Sequence, residues 1–448
     1  MQDSSPEQLE ASALPAPEAA PAGQVSSRRA LFIVFLVMFI DLLGFGIVLP
    51  LLPRYGKEFL EPLFPGDGQA KLRGAILGLL MASFSAMQFL FAPIWGRLSD
   101  RVGRRPFLLL GLGGSIIFYA LFGFASDWGR DPGHQFLGLI LLFVARIGAG
   151  IAGATVSTAQ AVIADTTTPE RRSQGMALIG VAFGLGFTLG PAFAAIILAL
   201  LPQVYGGPGF LASAFSFIAF ILAATIMPET LRPGAAHKER TWFSLAGLRL
   251  ALQTPTVGTL ILIFFLSVMA FASFEPTLAF LTGDVLGYGD AGNSVVFSYV
   301  GLVLMLAQML YRRMARRGAA EITFMSTGSL LMALGLGGLG AATVWATEFA
   351  TGSSGALLIG LLAALAVAVT GFSFVTPSVQ SLISRRSDPY KQGEILGVNQ
   401  SANAMSRILG PALGTPLYFL HPSHVLPYAF GVVLLVIVLL LIPRVRQG

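Results

Sequence analysis

The chain has 448 residues, 55% of them hydrophobic and 11% charged, against roughly a quarter charged in an ordinary soluble domain. That composition excludes a large soluble protein and points to an integral membrane one. The formal net charge is +6; the absence of cysteine excludes disulfides, iron–sulfur clusters and thiolate metal sites, and the four histidines lie outside the apolar runs, which excludes a histidine metal site in the membrane.

Residues 1–27 are rich in Pro, Ala, Glu, Ser and Gln and carry Asp3, Glu7, Glu10 and Glu18. Such a segment buries too little apolar area to offset its ordering entropy, so a disordered cytoplasmic tail is expected. The first apolar run follows this long leader and is of membrane length, unlike a cleaved signal peptide. Twelve runs near the roughly 20 residues that span a bilayer can be placed, at about 30–53, 73–96, 107–126, 135–163, 174–200, 209–228, 257–282, 293–311, 320–345, 354–378, 392–417 and 424–443. They predict an all-α membrane protein of twelve transmembrane helices. The expected domains are an N-terminal six-helix bundle over 28–228, a cytoplasmic linker over 229–256, a C-terminal six-helix bundle over 257–443 and a short cytoplasmic tail, 444–448.

The loops set the expected orientation. With the N-terminus inside, inside segments hold 21 of the 28 Lys and Arg residues and outside loops hold 5. Cytoplasmic loops attract Lys and Arg, so both termini are expected in the cytoplasm. The positive excess is then a topology signal and not a nucleic-acid surface.

The two halves repeat. Pro169 and Pro191 stand 22 positions apart, as do Pro389 and Pro411, with an offset of 220 between the pairs. Each second proline lies in Leu-Gly-Pro-Ala, at Leu189–Ala192 and Leu409–Ala412. Spans five and eleven are therefore expected to be equivalents in two pseudo-symmetric bundles, a transporter design with its site between the halves. Gly186, Gly190, Pro191, Gly410 and Pro411 are the candidate packing positions.

The strongest local pattern is Gly96-Arg97-Leu98-Ser99-Asp100-Arg101-Val102-Gly103-Arg104-Arg105-Pro106, between spans two and three. A merely basic loop explains the arginines but neither Asp100 nor the two glycines, which permit tight turns and close approach. The pattern resembles the signature of the major facilitator superfamily. Its second-half counterpart, Tyr311-Arg312-Arg313-Met314-Ala315-Arg316-Arg317-Gly318, keeps the basic residues and has lost the acid. The resemblance implies a cytoplasmic latch built from Gly96, Asp100, Arg101, Gly103, Arg104, Arg105 and Asp165. In it Arg104 would pair with Asp165 at the end of span four, and Asp100 would meet the start of span eleven. Asp41–Pro53 in span one, Arg146–Thr155 in span four and Gly186-Phe-Thr-Leu-Gly-Pro191 in span five further resemble the twelve-span drug–proton antiporter branch, and within it the tetracycline-efflux proteins. One departure argues against tetracycline itself: Phe118-Tyr119 stands where those proteins carry an aspartate before the tyrosine.

Charged side chains at mid-bilayer cost about 2.5–3.5 kcal/mol each on insertion scales, and four fall inside spans: Asp41, Arg146, Glu275 and Arg407. Asp41 and Arg146 are both near mid-depth, where either a proton-loading couple or a static ion pair is possible. Gly150, Gly153, Ser157 and Gln160 continue the face that Arg146 begins, suited to a cavity or to tight helix contact. Asn399, Gln400, Asn403 and Arg407 make span eleven polar, with interhelical hydrogen bonding as the alternative role. Glu275 precedes Pro276 at an expected bend and is either a second proton site or merely hydrated. Phe39, Phe45, Phe271 and Phe274 flank the acids.

The function expected is a proton-coupled secondary transporter that exports small amphipathic or drug-like compounds by alternating access, as a multi-pass protein of a bacterial cytoplasmic (inner) membrane. The alternatives are a proton-coupled importer of a sugar or organic acid and a non-transporting sensor. No nucleotide-binding loop and no His-Glu-x-x-His motif occurs, so the chain is not expected to be an enzyme. No cofactor or metal is expected. The partners are a small-molecule substrate, protons and the lipid bilayer, with no nucleic acid, and the chain is expected to be a monomer.

Overall fold

The computed structural model describes residues 27–167, 172–231, 256–317, 320–348, 355–387 and 392–446. The acidic N-terminal segment, most of the expected linker, and Pro169 and Pro389 of the repeat lie outside the described residues. The described residues form helices and no strand, as a chain that crosses hydrocarbon must when it does not close a barrel: every backbone N–H and C=O needs an internal partner.

The helices are α1 (Ser27–Val48), α2 (Leu52–Leu63), α3 (Ala70–Val102), α4 (Arg104–Trp128), α5 (Gln135–Ala152), α6 (Val156–Thr166), α7 (Arg172–Leu200) and α8 (Gly207–Ile226) in the first half. The second half contains α9 (Val257–Leu286), α10 (Asp290–Arg316), α11 (Glu321–Glu348), α12 (Gly355–Arg386), α13 (Gln392–Tyr418) and α14 (Leu426–Arg446). Two spans are each made of two helices. Pro50 and Pro53 interrupt the first, so α1 ends at Val48 and α2 carries the same span on to Leu63. Arg54 and Lys57, expected in a loop, therefore sit on a helix. The fourth span breaks into a 3₁₀ turn at Gly153–Thr155 between α5 and α6.

Eleven of the twelve spans are apolar enough to be membrane helices on composition alone. The twelfth, α13, is 27 residues long, but its Asn399, Gln400, Asn403 and Arg407 dilute the apolar signal. The signature stretch also differs from the expected loop. Helix α3 continues through Val102, and Gly103 alone separates it from α4. Two successive helices meeting at one residue need an unusual backbone angle there, and Gly103 supplies φ +122°.

Small residues set the close contacts within each half. On α7, a Cβ at Gly190 would lie 2.7 Å from the Leu43 carbonyl oxygen and 2.8 Å from Gly46 of α1. In the second half, a Cβ at Gly410 of α13 would lie 2.6 Å from the Ala272 side chain of α9. Ser406 stands in the second half where the 220-residue offset places Gly186, and its hydroxyl donates to the Phe265 carbonyl at 2.8 Å. The repeat is thus visible as one helix contact made twice, by glycine in one half and by glycine plus a hydroxyl in the other.

Across the halves, α3 packs on α13 and α7 on α10. Cβ atoms at Gly74 and Gly78 would lie 3.0 Å from Pro416 and 2.9 Å from the Pro411 carbonyl oxygen. These contacts lie toward the face of the bundle opposite the one holding the N-terminal end of α1 and the C-terminal end of α14. We call these the far face and the terminal face. Toward the terminal face, Cβ atoms at Gly180, Gly184 and Gly397 would meet nothing within 4 Å.

Overpacking a tight contact costs about 1–3 kcal/mol. Gly190→Val is expected to lower the unfolding midpoint of the purified protein by several degrees. Gly184→Ala is expected to leave it unchanged or raise it, because Ala gains about 1 kcal/mol over Gly in a helix and meets no neighbour. Equal midpoints for the two variants would refute this account of the α1–α7 contact.

Candidate functional site

Asp41 lies in the middle of α1 and is 8% exposed. Ser115 of α4 donates to its Oδ1 at 3.4 Å, and the Tyr119 hydroxyl donates to its backbone carbonyl at 3.3 Å. Gly44, one turn further on, leaves the space that the Tyr119 ring fills: a Cβ there would be 2.5 Å from the ring. A Cβ at Gly153 would lie 3.2 Å from Asp41 Oδ2, and Gln88 of α3 donates to the Gly153 carbonyl at 3.0 Å. The carboxylate thus sits where α1, α4 and the broken fourth span meet.

Arg146 does not pair with Asp41. It is 3% exposed, and its Nε and one Nη have no hydrogen-bond partner. Asp41 faces Gly153, seven residues further along the span, about 10 Å at the helical rise, so the two charges occupy different levels. The guanidinium lies 4.5 Å over the Phe84 ring and 5.7 Å from that of Phe45, a cation–π arrangement that offsets part of the desolvation cost. The stripe that follows is a helix contact and not a cavity wall. Gly150 abuts the Phe84 carbonyl, and Ser157 donates to the Ala92 carbonyl at 2.8 Å, with Gly96 against Ser157. Gln160, at the end of that stripe, is half-buried.

The rings continue toward the second half. Phe45 packs on Phe84 at 5.1 Å and on Phe187 at 5.9 Å, and Phe187 stacks on Phe183 at 5.1 Å. The Arg407 guanidinium of α13 lies 5.5 Å from the Phe183 ring. One unbroken row, Phe84–Phe45–Phe187–Phe183, therefore joins a buried arginine of one half to an arginine of the other. Sequence reasoning found both arginines and Phe45 and missed Phe84, Phe183 and Phe187, whose alignment depends on three helices. Of the other expected aromatics, Phe271 stacks on Phe372 at 4.0 Å and on Phe274 edge-to-face at 5.0 Å, while Phe39 stacks on Phe35 at 6.1 Å, away from the row.

Glu275 is half-buried at Pro276, with Oε1 buried and without a hydrogen-bond partner. Its charge and that of Arg407 interact, but they form no ion pair within 4 Å. Asn399 is 2% exposed with an unpartnered Oδ1, and Asn403 is half-buried. Gln400 is exposed.

On the terminal face, Arg104 reaches Asp165 Oδ2 at 3.2 Å, the contact that the resemblance implies, and also pairs with Asp100. Asp100 is therefore engaged within its own half; the first side chains of span eleven, 392–394, which it was expected to meet, lie outside what the structure describes. Arg105 donates to the Ala224 carbonyl. Arg101 is exposed. A residue not singled out from sequence completes the cluster. Glu229, just beyond α8, accepts from the backbone N–H groups of Arg104 at 2.8 Å and Arg105 at 3.1 Å, and from those of Thr230 and Leu231. A carboxylate at the amino end of α4 satisfies donors that the helix leaves open. It also explains Gly103 a second time, since a Cβ there would be 2.5 Å from Glu229 Oε2.

On the far face the halves are joined by charge. Arg54 of α2 donates to Asp290 at 2.7 Å and to the Tyr288 carbonyl at 2.6 Å, and Lys57 donates to Asp284 at 2.8 Å. Asn293 donates to the Pro50 carbonyl at 2.6 Å, and Tyr418 donates to Asp284 at 3.1 Å. Arg130, held between the rings of Tyr55 and Tyr205, pairs with Glu58 at 2.6 Å and reaches Asp290 at 3.8 Å. Among the described residues, every ion pair between the halves lies on this face.

The Major Facilitator Superfamily family model matches residues 34–411. The chain is 30% identical to the mouse major facilitator superfamily domain-containing protein 10 over 440 residues, 89% of each chain. It is 28% identical to the class E tetracycline resistance protein of Escherichia coli, covering 87% of this chain and 88% of that one. Among solved structures it resembles the human organic anion transporter MFSD10, with TM-score 0.62, 28% identity, and 93% and 99% of the two chains covered. It shares its fold with a D-xylose–proton symporter at TM-score 0.72 and 16% identity. A twelve-span bundle with a glycine-broken helix pair on one face, a charge-joined opposite face and a family match along most of its length belongs to the major facilitator superfamily, and the chain is a multi-pass membrane transporter and not an enzyme.

Proposed function

We propose that this transporter is a proton-coupled exporter of small amphipathic organic compounds, with a negatively charged group favoured on the substrate. The observation that carries the reading is the ring row with an arginine at each end. Arg146 has unpartnered N–H groups, the rings offer apolar faces, and such a row suits a flat apolar body bearing a carboxylate or sulfonate. The likeness to the human organic anion transporter MFSD10 supports the same substrate class, and the tetracycline and quinolone resistance relatives support export.

The 21-to-5 distribution of Lys and Arg favours both termini in the cytoplasm, with the terminal face inside. The present arrangement is then an inward-facing state of alternating access, sealed outside by Arg54–Asp290 and Lys57–Asp284. The Gly96–Arg105 and Asp165 cluster is the latch that engages when the inner side closes. Asp41 and Glu275 are the proton-carrying candidates, one in each half. We place the protein in a bacterial inner membrane as a monomer of two six-helix bundles, 28–228 and 257–443.

Proteoliposomes with an internal pH dye test the coupling. Addition of an aromatic carboxylate is expected to drive proton movement opposite to the substrate. Arg407→Lys is expected to lower its uptake into inverted vesicles on the order of tenfold or more, in line with about 1.5–3 kcal/mol for a charged hydrogen bond. Equal transport of organic cations and anions would remove the anion preference. Glu275→Gln and Asp41→Asn are each expected to abolish substrate-driven proton flux while substrate binding persists. Proton flux that survives in both would remove both carboxylates from the coupling, and co-directional movement of proton and substrate would sink the exporter reading.

The far-face seal gives a separate outcome. Asp290→Asn weakens the Arg54 and Arg130 contacts together, so spin labels across that face are expected to report a larger open population than in the parent protein. An unchanged distance distribution would show that the helix packing at Gly74 and Gly78 holds the face closed without these charges.

A further inference from the structure

The two copies of the signature loop have separated in chemistry. In the first half the two arginines after Gly103 have partners: Arg104 in Asp100 and Asp165, and Arg105 in the Ala224 carbonyl. In the second half the acid is missing. The nearest acid on the adjoining helix, Glu321, is taken by Arg385 at 2.7 Å. Arg312, Arg313, Arg316 and Arg317 are exposed and, among the described residues, none has an ion-pair or hydrogen-bond partner for its side chain. They line, with Met309, an open cavity of about 420 Å³ at the end of α10.

Two basic residues in a last turn would suffice to complement the helix dipole. Four, grouped around one cavity, present up to five N–H donors each in planar forks that match phosphate oxygens. The same face of α10 continues into the membrane as exposed Leu302, Leu306 and Met309, spaced by four and three residues and so in one line. A cationic, anion-binding cup thus opens directly onto an apolar track in a helix that crosses the bilayer. A free phosphate would use only the cup; a lipid would use both.

We propose that this cavity is a binding site for the headgroup of an anionic phospholipid, whose acyl chain lies along Leu302, Leu306 and Met309. The site is on the outer surface of the second bundle, apart from the ring row, and its occupant is structural lipid and not cargo. Basic pockets on the cytoplasmic side of membrane helices are suited to such headgroups. The arginine count then reflects bidentate phosphate binding in addition to topology.

The test is native mass spectrometry of the full-length protein with added phosphatidylglycerol, phosphatidylcholine or inorganic phosphate. The parent protein is expected to retain phosphatidylglycerol at detergent levels that strip phosphatidylcholine. The variant R312K/R313K/R316K/R317K keeps every positive charge, and with it the insertion signal, while losing the forked donors; about tenfold weaker retention of phosphatidylglycerol is expected, because an ammonium meets phosphate as a point charge and gives up the bidentate geometry. Leu306→Asn with Met309→Asn is expected to weaken lipid retention and leave phosphate binding unchanged. Retention by the four-lysine variant equal to that of the parent would overturn the site. Displacement of phosphatidylglycerol by equimolar inorganic phosphate would show an anion site without a lipid track and would overturn the assignment to lipid.

Discussion

The cost of holding a charge in hydrocarbon governs this molecule. Each of the four charges inside the spans must be answered by something the fold supplies, and the answers differ. Asp41 has a serine hydroxyl and a small-residue pocket. Arg146 has aromatic faces and no anion. Arg407 has one ring and a carboxylate beyond ion-pair distance. A fully neutralised charge would be cheaper to bury but would have nothing left to offer a ligand. Incomplete compensation leaves these groups able to answer a ligand, and the carrier site we propose rests on that property.

Glycine makes that placement possible. The α1–α7 contact at Gly186 and Gly190 brings Phe45 and Phe187 to within 5.9 Å of each other. Without that approach the row would break between its second and third rings. Gly153, where α5 ends in the 3₁₀ turn, has a related effect: its missing side chain lets the fourth span approach Asp41, while Arg146, seven residues earlier, lies over Phe84. Helix packing in membranes lacks a strong hydrophobic drive and relies on such close van der Waals fits.

Much of this was legible in the sequence, because apolar run length, Lys and Arg placement and the signature pattern are local signals. Eleven spans pass on composition alone, and the twelfth, 392–417, is legible as an apolar run of membrane length that its polar residues dilute. The partnership of Arg104 with Asp165 followed from resemblance. What stayed hidden depends on contacts between distant segments. Phe84 and Phe183 look like any other phenylalanines among 35. Glu229 follows a helix end by only three residues, yet its partners are 124 and 125 positions earlier. Asp41 and Arg146, both near mid-depth by residue count, stay apart because Asp41 faces Gly153, about two helical turns along the span from Arg146. The signature stretch was expected to be a loop because its charges suggest solvent, but helix α3 simply extends past the membrane into it.

The far-face seal has two unlike bonds. The side chains of Arg54 and Asp290 are 19% and 11% exposed, whereas those of Lys57 and Asp284 are 27% and 30% exposed. Mobile ions screen exposed pairs over a Debye length of about 8 Å at physiological ionic strength, and partly buried pairs much less. The rim bond is therefore the more salt-responsive of the two. In a more saline medium this face would loosen first at its edge, so ionic strength sets how firmly the two halves are held together there.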